Sequence, residues 1–270
     1  MGLFFKKLKN IALHLVNVKF YKLLQIILVA SVKGKNNPGK TKILGKKVTF
    51  SDAFSLIGMY NEIILQEIYR FETEKEKPVI IDCGANIGIS ILYFKSKYPN
   101  AVITAIEADP TIATILQNNL LNNNIQVEII QKAIWSNSNE LIQFGSSGDD
   151  SGSIFNLDNA KEVETIKLND LFEKYEEVDL LKIDIEGAEI EALKNGNVNL
   201  TKIKRAFVEF HSFPNRPQEL EELLAVFSKQ GFRYYIIPAR KMKQPFMENH
   251  HLNQMDLQLN IFFIKNETIN

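Results

Sequence analysis

Residues 78–94 read Pro78-Val79-Ile80-Ile81-Asp82-Cys83-Gly84-Ala85-Asn86-Ile87-Gly88-Ile89-Ser90-Ile91-Leu92-Tyr93-Phe94. Val79, Ile80 and Ile81 are consecutive and β-branched, follow a proline and stop at Asp82, the pattern of a strand buried on both faces of a parallel sheet. Gly84 and Gly88 bracket a turn, after which Ile89, Leu92 and Tyr93 recur at helical spacing. The stretch predicts a strand, a tight glycine loop and a helix. Such a junction presents a helix N-terminus to a polar ligand at the carboxyl end of a parallel sheet.

The spacing, Asp82-x-Gly84-x-x-x-Gly88, lacks the third glycine of the dinucleotide fingerprint, which disfavours a nicotinamide oxidoreductase. A nucleoside without a pyrophosphate fits better, and S-adenosylmethionine is the common one. A plain strand-to-helix turn that binds nothing has the same local pattern, so the rest of the chain decides.

Upstream, the charge distribution is uneven. The 270 residues have a formal net charge of zero, yet residues 1–47 carry eleven lysines and no acid, leaving 21 basic against 32 acidic residues in the remainder. The basic end is therefore a separate feature. Residues 3–32 read as a basic amphipathic helix whose apolar stretches are too short to span a bilayer and too interrupted for a signal peptide. Two uses remain for it: a cap packed on the following domain, which is favoured, or peripheral contact through residues 1–47 with an anionic membrane surface. No nucleic-acid-binding motif accompanies the charge, so nucleic acid is not expected as a partner. Gly34–Lys47 reads as a loop ending in a short strand at Lys47–Phe50, and 51–71 as a helix with Ser51 as its cap. The charged run Glu72–Lys77 places a boundary at Pro78, separating an extension (1–77) from the main domain (78–270). Cys83, the lone cysteine, excludes an intrachain disulfide, suits a reducing, cytoplasmic compartment, and reads as a small buried hydrophobe.

Downstream, apolar strands at 79–82, 102–107, 127–130, 178–184, 203–210, 232–237 and 258–264 alternate with helical stretches. That is the pattern of a doubly wound α/β domain. Further strands are expected at 140–144 and 162–167. In such a sheet the ligand sits beyond the carboxyl ends of the strands, so the polar residues closing them are the candidates. Asp82 closes the first. Glu107 closes the second, at the offset where a carboxylate holds ribose hydroxyls. Asp184 closes the fourth, with Glu186, Gly187 and Glu189 behind it. Close like charges raise one another's pKa, so these acids have a purpose: to bind a metal, hold an ammonium group, orient a hydroxyl or act as a base. Glu209 and His211 leave the next strand on one side, and His211 is a candidate general base.

Together, Ile81-Asp82-Cys83-Gly84-Ala85-Asn86-Ile87-Gly88, Glu107-Ala108-Asp109-Pro110 with Asn118 downstream, and Leu181-Lys182-Ile183-Asp184-Ile185-Glu186-Gly187-Ala188-Glu189 followed by Glu209-Phe210-His211 resemble the FkbM-type class I S-adenosylmethionine-dependent methyltransferases. The resemblance covers about residues 79–265. It implies a Rossmann-like, mainly parallel seven-stranded sheet with the last strand antiparallel. The implied reaction is methyl transfer to a hydroxyl of a sugar, glycan or related small molecule. It further implies that Asp82, Gly84, Asn86 and Gly88 line the cofactor pocket, that Glu107 holds the ribose, and that Asp184, Glu186 and His211 face the transferring methyl. The family often carries Thr-Leu-Asp where this chain has Ile166-Lys167-Leu168-Asn169-Asp170, and the loop at 145–153 is unusually acidic and glycine-rich, so the acceptor pocket departs from the pattern. No metal is assigned, since a base suffices for the chemistry. The rival expectation is a non-catalytic membrane-associated module that keeps the fold and works through its basic helix, on the cytoplasmic face.

Overall fold

The computed structural model describes residues 18–28, 30–31, 38–146, 152–153, 160–214, 216–239, 246 and 255–266. Residues 3–17 of the expected N-terminal helix and the centre of the 145–153 loop lie outside them. The helix α1 spans 18–28. It is followed by the strands β1 (Gly39–Ile43) and β2 (Lys46–Phe50), the helix α2 (Ala53–Met59) and a π-helical turn (Tyr60–Leu65).

The main sheet starts at β3 (Val79–Cys83), followed by α3 (Ile89–Lys97), β4 (Val102–Ile106), α4 (Pro110–Leu121) and β5 (Glu128–Ile130). Short strands β6 (Ala133–Ile134), β7 (Leu141–Ser146), β8 (Gly152–Ser153) and β9 (Lys161–Ile166) come next, then α5 (Leu168–Phe172) and β10 (Leu180–Ile183). The chain finishes with a π-helical turn (Glu191–Asn195), β11 (Arg205–Ser212), α6 (Leu220–Ser228), β12 (Phe232–Pro238) and β13 (Leu257–Lys265).

Seven strands form the main sheet in the order β12-β13-β11-β10-β3-β4-β5. The five from β11 to β5 pair in parallel, and β13 runs antiparallel to both its neighbours. This is the doubly wound sheet with an antiparallel last strand. Its central strands are apolar on both faces because helices cover both: Ile80 and Ile81 point oppositely, into different buried clusters. The chain winds one way from β3 to β4 and β5 and the other way from β10 to β11, so the switch in winding lies between β3 and β10, where a crevice opens at their carboxyl ends. The strands expected at 140–144 and 162–167 are β7 and β9, which pair antiparallel in a separate four-stranded sheet.

The extension departs from expectation in three places. The expected loop before Lys47 is the first strand of a hairpin, with β1 and β2 paired antiparallel. Leu44 and Gly45, both at positive φ (50° and 77°), form its two-residue turn. Lysines fill its outward positions and hide the alternation that buries Ile43, Val48 and Phe50. Asp52, not Ser51, caps α2, its side chain accepting from the Ser55 N–H at 2.7 Å. The helix predicted over 51–71 gives way to the π-helical turn at Tyr60.

The extension is packed on the main sheet. Leu23, Ile26, Ala30, Val48, Phe50, Leu56 and Ile64 share one buried cluster with Ile80, Phe94 and Phe207. Buried Asn119 of α4 accepts from the Thr49 N–H (2.8 Å) and donates to the Thr49 and Ile87 carbonyls (2.9 Å each). One amide thus ties the hairpin to the glycine loop. Lys19 of α1 donates to the Ile64 carbonyl (3.0 Å) and Glu67 (2.9 Å). No described helix is long and apolar enough to cross a membrane.

Candidate active site

The glycine loop holds its shape through backbone geometry. Gly84 and Gly88 have φ of 80° and 92°, conformations costly for a side-chain-bearing residue. A Cβ on Gly84 would stand 1.8 Å from the Asp184 carbonyl oxygen, and one on Gly88 would stand 2.8 Å from Leu116 Cδ1. What these glycines admit is protein: the loop after β10 in one case and α4 in the other.

Under the loop lies a buried ion cluster that the sequence reading missed. Lys182, 2% exposed, extends its Nζ to 3.1 Å from Asp82 Oδ1 and 3.5 Å from Asp184 Oδ2. It also donates to the Gly84 carbonyl at 2.8 Å. Burial pushes the Lys182 ammonium down, but Asp82 and Asp184 beside it outweigh that and hold it above the usual lysine range. Asp82 is fully buried, its other oxygen accepting from Ser90 Oγ at 2.5 Å. The sequence signal for Lys182 was a lysine inside an otherwise apolar strand. Cys83 is buried and unpaired, its thiol pushed up first by burial, so it acts as core.

At the end of β4, Glu107 accepts from the Asn86 N–H (2.8 Å) and the Asp109 N–H (3.0 Å), bracing the glycine loop. Burial raises its pKa to about 7 against these two bonds. Asp109 is the N-cap of α4, accepting from the Thr111 and Ile112 N–H groups, with Pro110 at the first helical position. In Glu-Ala-Asp-Pro the first acid therefore serves the crevice and the second the helix. Gly84, Asn86, Ala108, Ile134, Phe144, Ile185 and Ala188 line a narrow slot together with the charged side chains of Glu107, Lys132, Asp184 and Glu186.

A second cavity, of about 350 Å³, adjoins the slot at Gly84, Asn86, Asp184 and Glu186. Its volume is within the usual range for small-molecule sites. Its walls mix polar and apolar side chains: Ser55, Glu62, Tyr69, Lys182, Glu209 and Gln258 with Met59, Ile63 and Ile89. Ser55 and Glu62 come from the extension, so the cap completes this cavity. Burial first, then Asp184, raises Glu62 to about 6, and the same two causes in the same order raise Glu209 well above the usual carboxylate range.

Asp184 and Glu186 line both cavities. His211, buried near the end of β11, stands behind Glu186. Its Nδ1 lies 3.0 Å from Glu189 Oε1 and its Nε2 3.7 Å from Glu186 Oε2. Burial would lower the imidazole pKa, but Glu189 and Glu186 outweigh it and hold the ring well above its ordinary value. Ligating atoms of Asp184, Glu186 and His211 all lie within 4.8 Å of one another. The structure thus brings these three residues together, and separately gathers Gly84, Asn86 and Glu107 around the slot. Asp82 and Gly88 stand behind the loop and His211 behind Glu186, all three outside both linings.

The family described as the methyltransferase FkbM domain matches residues 82–234, more than half of the chain. The chain belongs to that family. Among curated relatives of this FkbM methyltransferase, it is 30% identical over 173 residues to "Methyltransferase sdnD" of Sordaria araneosa, covering 50% of this chain and 67% of the relative. It is 30% identical over 159 residues to "2-O-methyltransferase NoeI" of Sinorhizobium fredii, covering 51% and 65% of the respective chains. Among solved structures, the FkbM methyltransferase of Methylobacillus flagellatus is 15% identical, with a TM-score of 0.43, over 78% of this chain and 54% of that one. In this FkbM methyltransferase, a slot with apolar side chains at Ile134, Phe144 and Ile185 and polar groups at Glu107 and Asn86 suits a nucleoside such as that of S-adenosylmethionine.

Proposed function

We propose that this methyltransferase binds S-adenosylmethionine in the slot between Gly84 and Glu107 and methylates a hydroxyl of a saccharide or similar small molecule held in the adjoining cavity. The observation that carries the reading is the shared wall: Asp184 and Glu186 border both spaces, so a group in one meets a group in the other there. Bound, the cofactor supplies an electrophilic methyl on its sulfonium. The protein's work is to align an acceptor oxygen and take its proton. Glu62, Glu209, Asp184 and Gln258 offer the hydrogen-bond acceptors that a hydroxyl-rich molecule needs. Asp184 and Glu186, on the shared wall, are the carboxylates placed to accept the hydroxyl proton, with His211 behind Glu186. The name of one relative, a 2-O-methyltransferase, supports oxygen as the acceptor atom. Residues 1–77 serve as a cap that closes the acceptor cavity over the 78–270 domain.

Calorimetry of the full chain tests the first half, and transfer of labelled methyl to a panel of cell-envelope saccharides tests the second. Glu107→Ala should weaken cofactor binding at least tenfold, and failure of the wild-type chain to bind cofactor would sink the reading. The affinity should also depend on pH. As a carboxylate, Glu107 accepts hydroxyl hydrogen bonds better than as a neutral acid. With its pKa near 7, affinity should rise with pH and level off above about 7, falling up to about tenfold per unit below it. Glu107→Gln should remove this part of the profile. For stability the sign is opposite. From the ordinary carboxylate range up to about 7 the folded chain keeps a proton that the unfolded chain has lost, so this group's contribution declines as pH rises through that window.

A second reading concerns location and is compatible with the first. Phe20, Tyr21, Leu24 and Leu28 of α1 remain exposed while Leu23 and Ile26 are buried, and the segment is rich in lysine. Contact with an anionic membrane surface accounts for both. Sedimentation with phosphatidylserine vesicles should show salt-sensitive binding that Phe20→Ser/Leu24→Ser/Leu28→Ser reduces severalfold. Equal binding to neutral vesicles would count against it.

A further inference from the structure

We propose that Asp184, Glu186 and His211 bind one divalent metal cation where the cofactor slot and the acceptor cavity meet. Two carboxylates and one imidazole form a mixed oxygen and nitrogen donor set, suited to Mn²⁺ or Zn²⁺. Their ligating atoms lie within 4.8 Å of one another. Donors about 2.1 Å from one tetrahedral ion stand about 3.4 Å apart, so an adjustment of up to about 1.4 Å closes the site.

The stronger argument is how His211 is held. Metal-binding histidines usually donate their second ring N–H to a carboxylate, which fixes the ring and its tautomer. Here Nδ1 faces Glu189 at 3.0 Å, and Glu189, 1% exposed, accepts the Gly187 N–H at 3.0 Å. The His211 side chain is 1% exposed, and among the described residues its Nε2 faces only Glu186, at 3.7 Å, beyond hydrogen-bond distance. A buried ring with one nitrogen anchored and the other facing a carboxylate beyond hydrogen-bond distance is arranged as a ligand. The carrier loop is strained in the same place: Glu186 has φ of 55°, a conformation retained where surrounding structure enforces it.

Resting on the proposed O-methyl transfer, the ion's use follows from its position. It would take an acceptor oxygen entering from the adjoining cavity and lower its hydroxyl pKa. Binding itself is testable without turnover. The full chain, stripped with chelator, is titrated with Mn²⁺ at pH 7.5 while free Mn²⁺ is followed by electron paramagnetic resonance, and cofactor affinity is measured on the same samples. One saturable site per chain is expected. His211→Gln and Asp184→Asn should weaken it more than about 100-fold. Glu189→Gln, which keeps all three ligands, should weaken it about 10–100-fold, with circular dichroism reporting the fold of each variant. A chain that binds cofactor but takes no Mn²⁺ up to millimolar concentration overturns the metal site, His211 then being an imidazolium between two carboxylates, and leaves methyl transfer standing. Saturable binding indifferent to all three substitutions overturns it too. Mn²⁺ binding without cofactor affinity supports the site and removes the proposed function instead.

Discussion

Gly84→Ala is expected to abolish cofactor binding and to lower the melting temperature by on the order of 10 °C. The added methyl would stand 1.8 Å from the Asp184 carbonyl oxygen, a backbone atom that no rotamer change can move. The φ of 80° adds a conformational cost of about 1–3 kcal/mol for any residue with a side chain. Relief requires β3 and β10 to part at their carboxyl ends, where Asp184 donates its N–H to the Cys83 carbonyl at 3.1 Å. A loss of about 3 kcal/mol or more follows, consistent with that temperature shift in a chain of this size. Gly88→Ala is the comparison. It meets Leu116 Cδ1 at 2.8 Å, the end of a flexible side chain, and should cost less. Thermal denaturation and cofactor calorimetry of both variants decide the point. A Gly84→Ala chain with wild-type melting and affinity would show that the two loops can separate freely.

Lys182→Met should cost about 3–5 kcal/mol, because removing one partner of a buried ion pair leaves the other charge uncompensated. Asp82 has 0% exposure, and besides Lys182 only Ser90 Oγ hydrogen-bonds to its side chain among the described residues. The same substitution removes the donor to the Gly84 carbonyl, so the cofactor loop should loosen with the core. Urea denaturation of Lys182→Met, Asp82→Asn and the double variant separates the effects. The double variant should be less destabilised than the two single losses added together, since neither charge is then stranded. Strict additivity, or a loss under about 1 kcal/mol for Lys182→Met, would mean that the pair is incidental.

These two residues mark how far the sequence could be read. Gly84 was legible as a glycine in a strand-to-helix turn, but the obvious reason, backbone approach to a ligand, differs from the structural one, approach to another strand's loop. Nothing local in residues 78–94 specifies that Asp184 arrives there; β3–β10 pairing does. Lys182 was visible as a charge within an apolar strand, yet its nearer partner, Asp82, lies 100 residues earlier. Glu107 was placed by its offset from the glycine loop, because that offset is set by one helix and one strand. The hairpin before Lys47 was obscured because its outward positions are nearly all lysine. The role of Asn119 was invisible, since its three partners belong to two distant segments.

The sequence alone determined the alternation of strands and helices, hence the doubly wound sheet, and with it the strand ends at Asp82, Glu107 and Asp184 that face a common edge. Periodicity and strand length are local, and short-range chemistry is enough to set them. Only the tertiary structure decided what those ends do. It buried Asp82 under Lys182, opened Glu107 to a slot, folded the extension over the adjoining cavity and set His211 behind Glu186 against Glu189. Each of these outcomes depends on burial and on contacts between segments far apart in the chain, which alter charge and access without leaving a mark on the spacing.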